Sequence, residues 1–162
     1  MADTSLSVRG GIWSLLRYSA DQRGIPEKST WYDLVNPKTD VSGIANLKAV
    51  FGSNFITTTM RNWTAANYMD DAGVPNTPAA FTHPSWNTRS VETFVNGTGG
   101  NPGTTFPLKT TPLLTAPVTA TLADGGAAYL RFAVDAGKVG GATVKGPAAL
   151  PSTFSIIVIR TK

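Results

Sequence analysis

The sequence predicts an α+β chain, with an N-terminal helical subdomain over 8–76 and a small antiparallel β-sandwich over 88–162, joined by a connecting segment at 77–87. Three observations predict it. Residues 10–72 repeat apolar side chains at helical spacing, residues 88–162 alternate them at strand spacing, and composition shifts between the two toward Thr, Val, Gly and Pro.

The helices follow in order. Ile12, Leu15, Leu16 and Ser19/Ala20 fall at i, i+3, i+4 and i+7, which predicts a helix over 11–22 ended by Gly24 and Pro26. Trp31, Leu34 and Val35 predict a short second helix, capped by Ser29 or Thr30 and stopped at Asn36-Pro37. A third is expected over 43–51, with Ser42 as its cap, Ile44, Leu47, Val50 and Phe51 as its apolar side, and Gly52 closing it. The fourth, over 54–70, carries Ile56, Met60, Trp63 and Asn67/Tyr68 along one stripe. Strands are expected at 91–95, at 118–122, at 129–134 and at 154–159. The last is almost continuously apolar, so it is expected to be central and buried on both faces. Asp124-Gly125-Gly126 reads as a hairpin turn, and the Gly-rich run after Asn96 as a loop.

Composition excludes several functions. The chain holds one histidine, His83, and no cysteine. It cannot by itself supply a His/Cys zinc site, a two-histidine motif, a CxxC pair or a disulfide. No catalytic residue, cofactor-binding residue or metal ligand is assigned within it, and no cofactor is expected in this chain. There is no G-x-G-x-x-G, Walker A or G-x-S-x-G pattern. A net charge of +4 comes from scattered Lys and Arg rather than a basic stripe, so nucleic acid is not an expected partner. No apolar run reaches the ~18 residues of a membrane span. Low charge, no cysteine and abundant Thr, Asn, Gly and Pro suit an extracytoplasmic bacterial protein. The first residues do not read as a signal peptide, so an export signal is expected outside these residues.

Five residues stand out as a possible interdomain seam or ligand contact: Asp70, Asp71, His83, Trp86 and Arg89. His83 and Ser85 lie in FTHPSWN, where the imidazole is either a general base beside the hydroxyl or a hydrogen-bonded loop histidine; with no third group in view, the second is expected. Phe81 and Trp86 are expected to anchor the seam. The carboxylates of Asp70 and Asp71 end a helix, where negative charge is unfavourable, so a cation such as Arg89 is the expected partner. Adjacent acids on a helix do not face one another, and no calcium-loop pattern accompanies them. Of the four tryptophans, Trp63 falls on an apolar stripe and Trp13 and Trp31 flank such stripes; packing is expected over a sugar-binding platform. Asn62-Trp-Thr64 and Asn96-Gly-Thr98 match the glycosylation pattern by composition alone.

Several stretches taken together resemble one family. They are Gly10–Gly24 (GGIWSLLRYSADQRG), Leu34-Val-Asn36 with Val41–Leu47 (VSGIANL) and Phe51-Gly52, and Trp63–Asp71 (WTAANYMDD) leading to Phe81–Asn87 (FTHPSWN). They are similar to the region that follows the zinc helix in secreted bacterial metallopeptidases of the hyicolysin-like kind. Ala128–Val134 (AYLRFAV) with Ala136-Gly137 is similar to β-sandwich domains appended to secreted peptidases. The family's H-E-x-x-H and its further acidic ligand are absent here, so no catalytic or metal residue carries over. The resemblance implies a non-catalytic C-terminal portion of a secreted peptidase whose zinc sits in the parent protein. Its partners would be the upstream catalytic domain or a polypeptide substrate, and the portion itself would be a monomer. Alternatives are a viral or phage coat or decoration protein, suggested by the Thr/Gly/Pro-rich strands, and a carbohydrate-binding module using Tyr129 or an exposed tryptophan.

Overall fold

The computed structural model of the chain describes residues 6–36, 40–97, 108, 110–113, 117–122, 125–146 and 149–161. The first helix, α1 (Leu6–Gln22), turns Tyr18, Ser19 and Ala20 inward. Ile12, expected on that inner stripe, is exposed. Ser14 accepts the Trp63 indole N–H (3.2 Å) and Tyr18 faces the core. Ile12 shares the face of buried Ser19, seven residues on, but about two turns nearer the helix start it is left exposed.

Helix α2 (Glu27–Val35) starts earlier than Ser29/Thr30. Pro26 occupies the cap position, where its missing N–H costs nothing, and its carbonyl accepts the Ser29 N–H (2.9 Å). Glu27 in the first turn suits the helix dipole. Thr30 is fully buried instead of capping, and its hydroxyl accepts from Arg23, whose other nitrogen pairs with Asp33 at 2.7 Å. Helix α3 (Gly43–Phe51) spans the expected residues. Ser42 sits at its cap position in an extended conformation but makes no capping hydrogen bond with its side chain. Gly52 ends it at φ +104°, a conformation that favours glycine.

The expected fourth helix forms in two pieces. Phe55–Met60 is a π-helical segment, and α4 (Arg61–Met69) continues it. The widened turns coincide with Thr57-Thr58-Thr59, whose β-branched side chains crowd a regular α-helical turn. Tyr18 and Ala20 of α1, Phe55 of the π segment, and Ala65, Ala66 and Met69 of α4 make up the buried apolar core. The small Ala65 and Ala66 let neighbouring backbone approach α4, which packs chiefly against the π segment and a 3₁₀ turn at Ala79–Phe81.

Among the described residues the antiparallel β-sandwich does not form. Residues 91–95, expected as a strand, lie within α5 (Thr88–Gly97). The helix wins there because the Asn87 side-chain oxygen accepts the Ser90 N–H (2.7 Å), an N-cap bond, and Val91 and Phe94 then fall one turn apart. The only sheet among the described residues is a parallel pair, β1 (Thr110–Pro112) and β2 (Tyr129–Arg131), with Thr110 opposite Tyr129. Gly125 takes φ +77° ahead of β2, yet β2 pairs in parallel with β1, so no hairpin forms at the expected turn; Asp124 lies outside the described residues. The segments 117–122 and 154–159 pair with no described strand. In the latter, Ile156 and Val158 are exposed while Ile157 and Ile159 are half-buried, an extended chain with two different faces rather than a strand buried on both. Period-two alternation sets faces; a strand also needs a neighbour for its ladder, which alternation does not specify. β2 meets the helices through Tyr129, whose ring stacks on Tyr68 and whose hydroxyl donates to the Thr64 carbonyl (2.8 Å).

No described helix is long and apolar enough to cross a membrane.

Candidate functional site

A cavity of about 470 Å³ opens between the end of α4, at Asp70 and Asp71, and the segment Thr82–Asn87. Four of the five residues singled out in the sequence, Asp70, Asp71, His83 and Trp86, line it. Arg89 does not line it but bonds the Asp70 carbonyl. No sandwich is present among the described residues to form the expected seam; these residues lie within the helical part, beside α1, α4 and α5.

Helix α4 ends abruptly, and that ending builds one wall. Asp70 leaves helical geometry at ψ 119°, and Asp71 follows at φ +51°, a left-handed conformation uncommon outside glycine. The buried Asp70 carboxylate accepts the His83 backbone N–H (3.1 Å), which pins the second wall to the first. Arg89 does not seek those carboxylates as expected: its Nε donates to the Asp70 carbonyl (2.8 Å) and its Nη2 to the Tyr68 carbonyl (2.7 Å). A guanidinium on the last carbonyls of α4 satisfies orphan acceptors and complements the negative end of the helix. Asp71 instead accepts from the Asn87 side-chain amide, whose oxygen caps α5.

His83 is 5% exposed. Its Nε2–H donates to Asn67 Oδ1 (3.0 Å), and its ring meets Tyr18 edge to face at 5.4 Å. Burial pushes the imidazole below its usual range, against the opposing pull of the Asp70 and Asp21 carboxylates. Ser85 turns to other partners. Its hydroxyl donates to the Asp21 carboxylate (2.6 Å to Oδ2) and accepts from Arg17 Nε (2.7 Å). Arg17 extends the network to Glu27, whose carboxyl is held below its usual range first by the Trp31 indole N–H, with Arg17 adding to it. A base–nucleophile pair between His83 and Ser85 is therefore not assembled, since each is committed to different partners. Those two side chains do not form the base–nucleophile contact of acyl transfer.

Trp86 lines the cavity, and Trp13 packs against it edge to face with ring centroids 4.8 Å apart. Trp86 thus anchors the segment to α1 and not to the β-rich half, while Phe81 ends the 3₁₀ turn packed on α4. Both indoles remain substantially open, Trp13 at 46% and Trp86 at 37%.

Sequence reading missed Arg17, Asp21, Asn67 and Asn87. Only Asn87 carried a local signal, an Asn three residues before a serine and followed by apolar residues at helical spacing. Among the described residues no group of three or more His, Asp or Glu stands together as a metal site. Scans against protein-family models, curated proteins and solved structures return no match to this chain.

Proposed function

We propose that this chain is the non-catalytic C-terminal portion of a secreted, bacterial metallopeptidase-like protein, and that it packs against a catalytic unit and assists substrate docking or secretion. One observation carries the packing part of the reading: large apolar side chains lie open along the described residues, among them Ile12, Val35 and Ile44 on helices and Phe132, Ile156 and Val158 beyond them. Open apolar surface of this extent marks an interaction face.

The peptidase part rests on the stretches from Gly10 to Asn87, which resemble the hyicolysin-like region downstream of the zinc helix. With one histidine, itself bonded to Asn67, the chain has no imidazole pair with which to hold catalytic zinc. Zinc belongs, on this reading, to the catalytic unit.

The test pairs two measurements. Sequencing the chromosomal DNA preceding the codon for Met1 should reveal an in-frame H-E-x-x-H. Stoichiometric zinc should neither raise the melting temperature of the chain nor create peptidase activity. A tightly bound zinc, or an upstream frame without that motif, overturns the reading.

A further inference from the structure

We infer that the cavity beside Trp86 is a saccharide-binding site for neutral pyranose chains. This rests on the pocket alone and not on the peptidase-related reading. Its volume of about 470 Å³ lies within the ~300–1,000 Å³ usual for small-ligand sites. The Trp86 indole lines the cavity and is 37% exposed, and Trp13 packs against it edge to face, 76° between planes. An indole is a large, rigid, amphipathic surface, and the C–H face of a pyranose packs flat on such a ring.

The polar side of the cavity matches sugar hydroxyls. Asp71 presents a carboxylate at the edge, one oxygen engaged by Asn87, and Asn87 is itself fixed by its bond to Ser90. The left-handed backbone at Asp71 persists only because its surroundings hold it, and non-glycine residues so held cluster at ligand sites. A carboxylate accepts from two vicinal hydroxyls at once, and preformed acceptors reduce the ordering cost of binding. Charge selects among saccharides. Two carboxylates, Asp70 and Asp71, and no Lys or Arg line the cavity; Arg17 is paired with Asp21 and Glu27, and Arg89 bonds the carbonyls ending α4. A uronate or phosphate would meet this negative field; a neutral ring would not.

The experiment titrates the full chain with four neutral hexasaccharides (cellohexaose, maltohexaose, mannohexaose and N-acetylchitohexaose) and with hexagalacturonate, by tryptophan emission and calorimetry. At least one neutral hexasaccharide should bind saturably, and hexagalacturonate should not. Trp86→Ala should weaken binding about tenfold or more, and Asp71→Ala should weaken it as well. Trp86→Phe, which keeps an aromatic face, should retain most of the affinity. Should Trp86→Ala fail to fold, judged by circular dichroism, Asp71→Ala and Trp86→Phe decide. Absence of saturable binding to all four neutral chains overturns the inference. So does binding that Trp86→Ala or Asp71→Ala leaves unchanged in a folded protein, or equal affinity for hexagalacturonate.

Discussion

Tyr129 lies over Tyr68, ring centroids 6.4 Å apart and planes 20° from parallel, and its hydroxyl reaches past that ring to the Thr64 carbonyl. This stack couples β2 to α4. Removing the hydroxyl with Tyr129→Phe keeps the stack but strands the carbonyl bond, and should cost about 1 kcal/mol in urea unfolding. Burial pushes Tyr129 and the core Tyr18 up to about 12. Both phenols bind protons more tightly folded than unfolded, so their contribution is complete below pH ~10 and falls as pH rises toward 12. Thermal melts across that range should show the loss, smaller in Tyr129→Phe.

His83 gives the opposite pH signature. Its imidazole is buried and depressed below the ordinary 6.5. The unfolded chain then takes up a proton before the folded one does. The associated stability is present above pH ~6.5 and declines as pH falls below it. Melting temperature should drop between pH 7 and 5 in the wild type. His83→Gln, which cannot charge, should be flatter over the same window; an identical slope would show that His83 is not the titrating group.

Arg89 closes the end of α4 by two charged hydrogen bonds to carbonyls. Arg89→Ala should cost about 2–4 kcal/mol in denaturant unfolding. Arg89→Lys should recover little, because an ammonium lacks the planar fork that reaches Tyr68 and Asp70 together.

Asn87 serves two walls, capping α5 through Ser90 and meeting Asp71 with its amide. Asn87→Ala should lose about 1 kcal/mol and some helicity by circular dichroism. Asn87→Asp keeps a good cap but sets a carboxylate against Asp71. It should be less stable than wild type in urea unfolding at pH 7.

Much of the helical half was legible because its evidence is local. Gly52 and the apolar spacing of 43–51 mark α3 within the chain itself. Asp70, Asp71, His83, Trp86 and Arg89 could be picked out because helix-end chemistry and an aromatic turn are visible over a few residues. Their partners were not visible. Asp21 meets Ser85 and Tyr18 meets His83 across more than sixty residues, and no spacing rule encodes such pairings. The bond between Ser14 and Trp63, 49 residues apart, is likewise not encoded by spacing. In the second half the alternating residues at 118–122 and the apolar run at 154–159 predict faces, but a strand is made by its neighbour, and β2 found β1 in parallel instead. At 91–95, a run rich in β-formers yielded to the cap at Asn87.

The central claim, that this chain is one part of a larger peptidase-like protein, is tested most directly on the native material. Antibodies against the purified chain would capture it from culture supernatant of the source organism, for mass measurement by light scattering and peptide mapping. The account predicts a species heavier than the 17.0 kDa of this chain, carrying an H-E-x-x-H polypeptide covalently or in stable complex. A closed assembly built only of 17.0 kDa copies would contradict it and mark a coat or decoration protein instead.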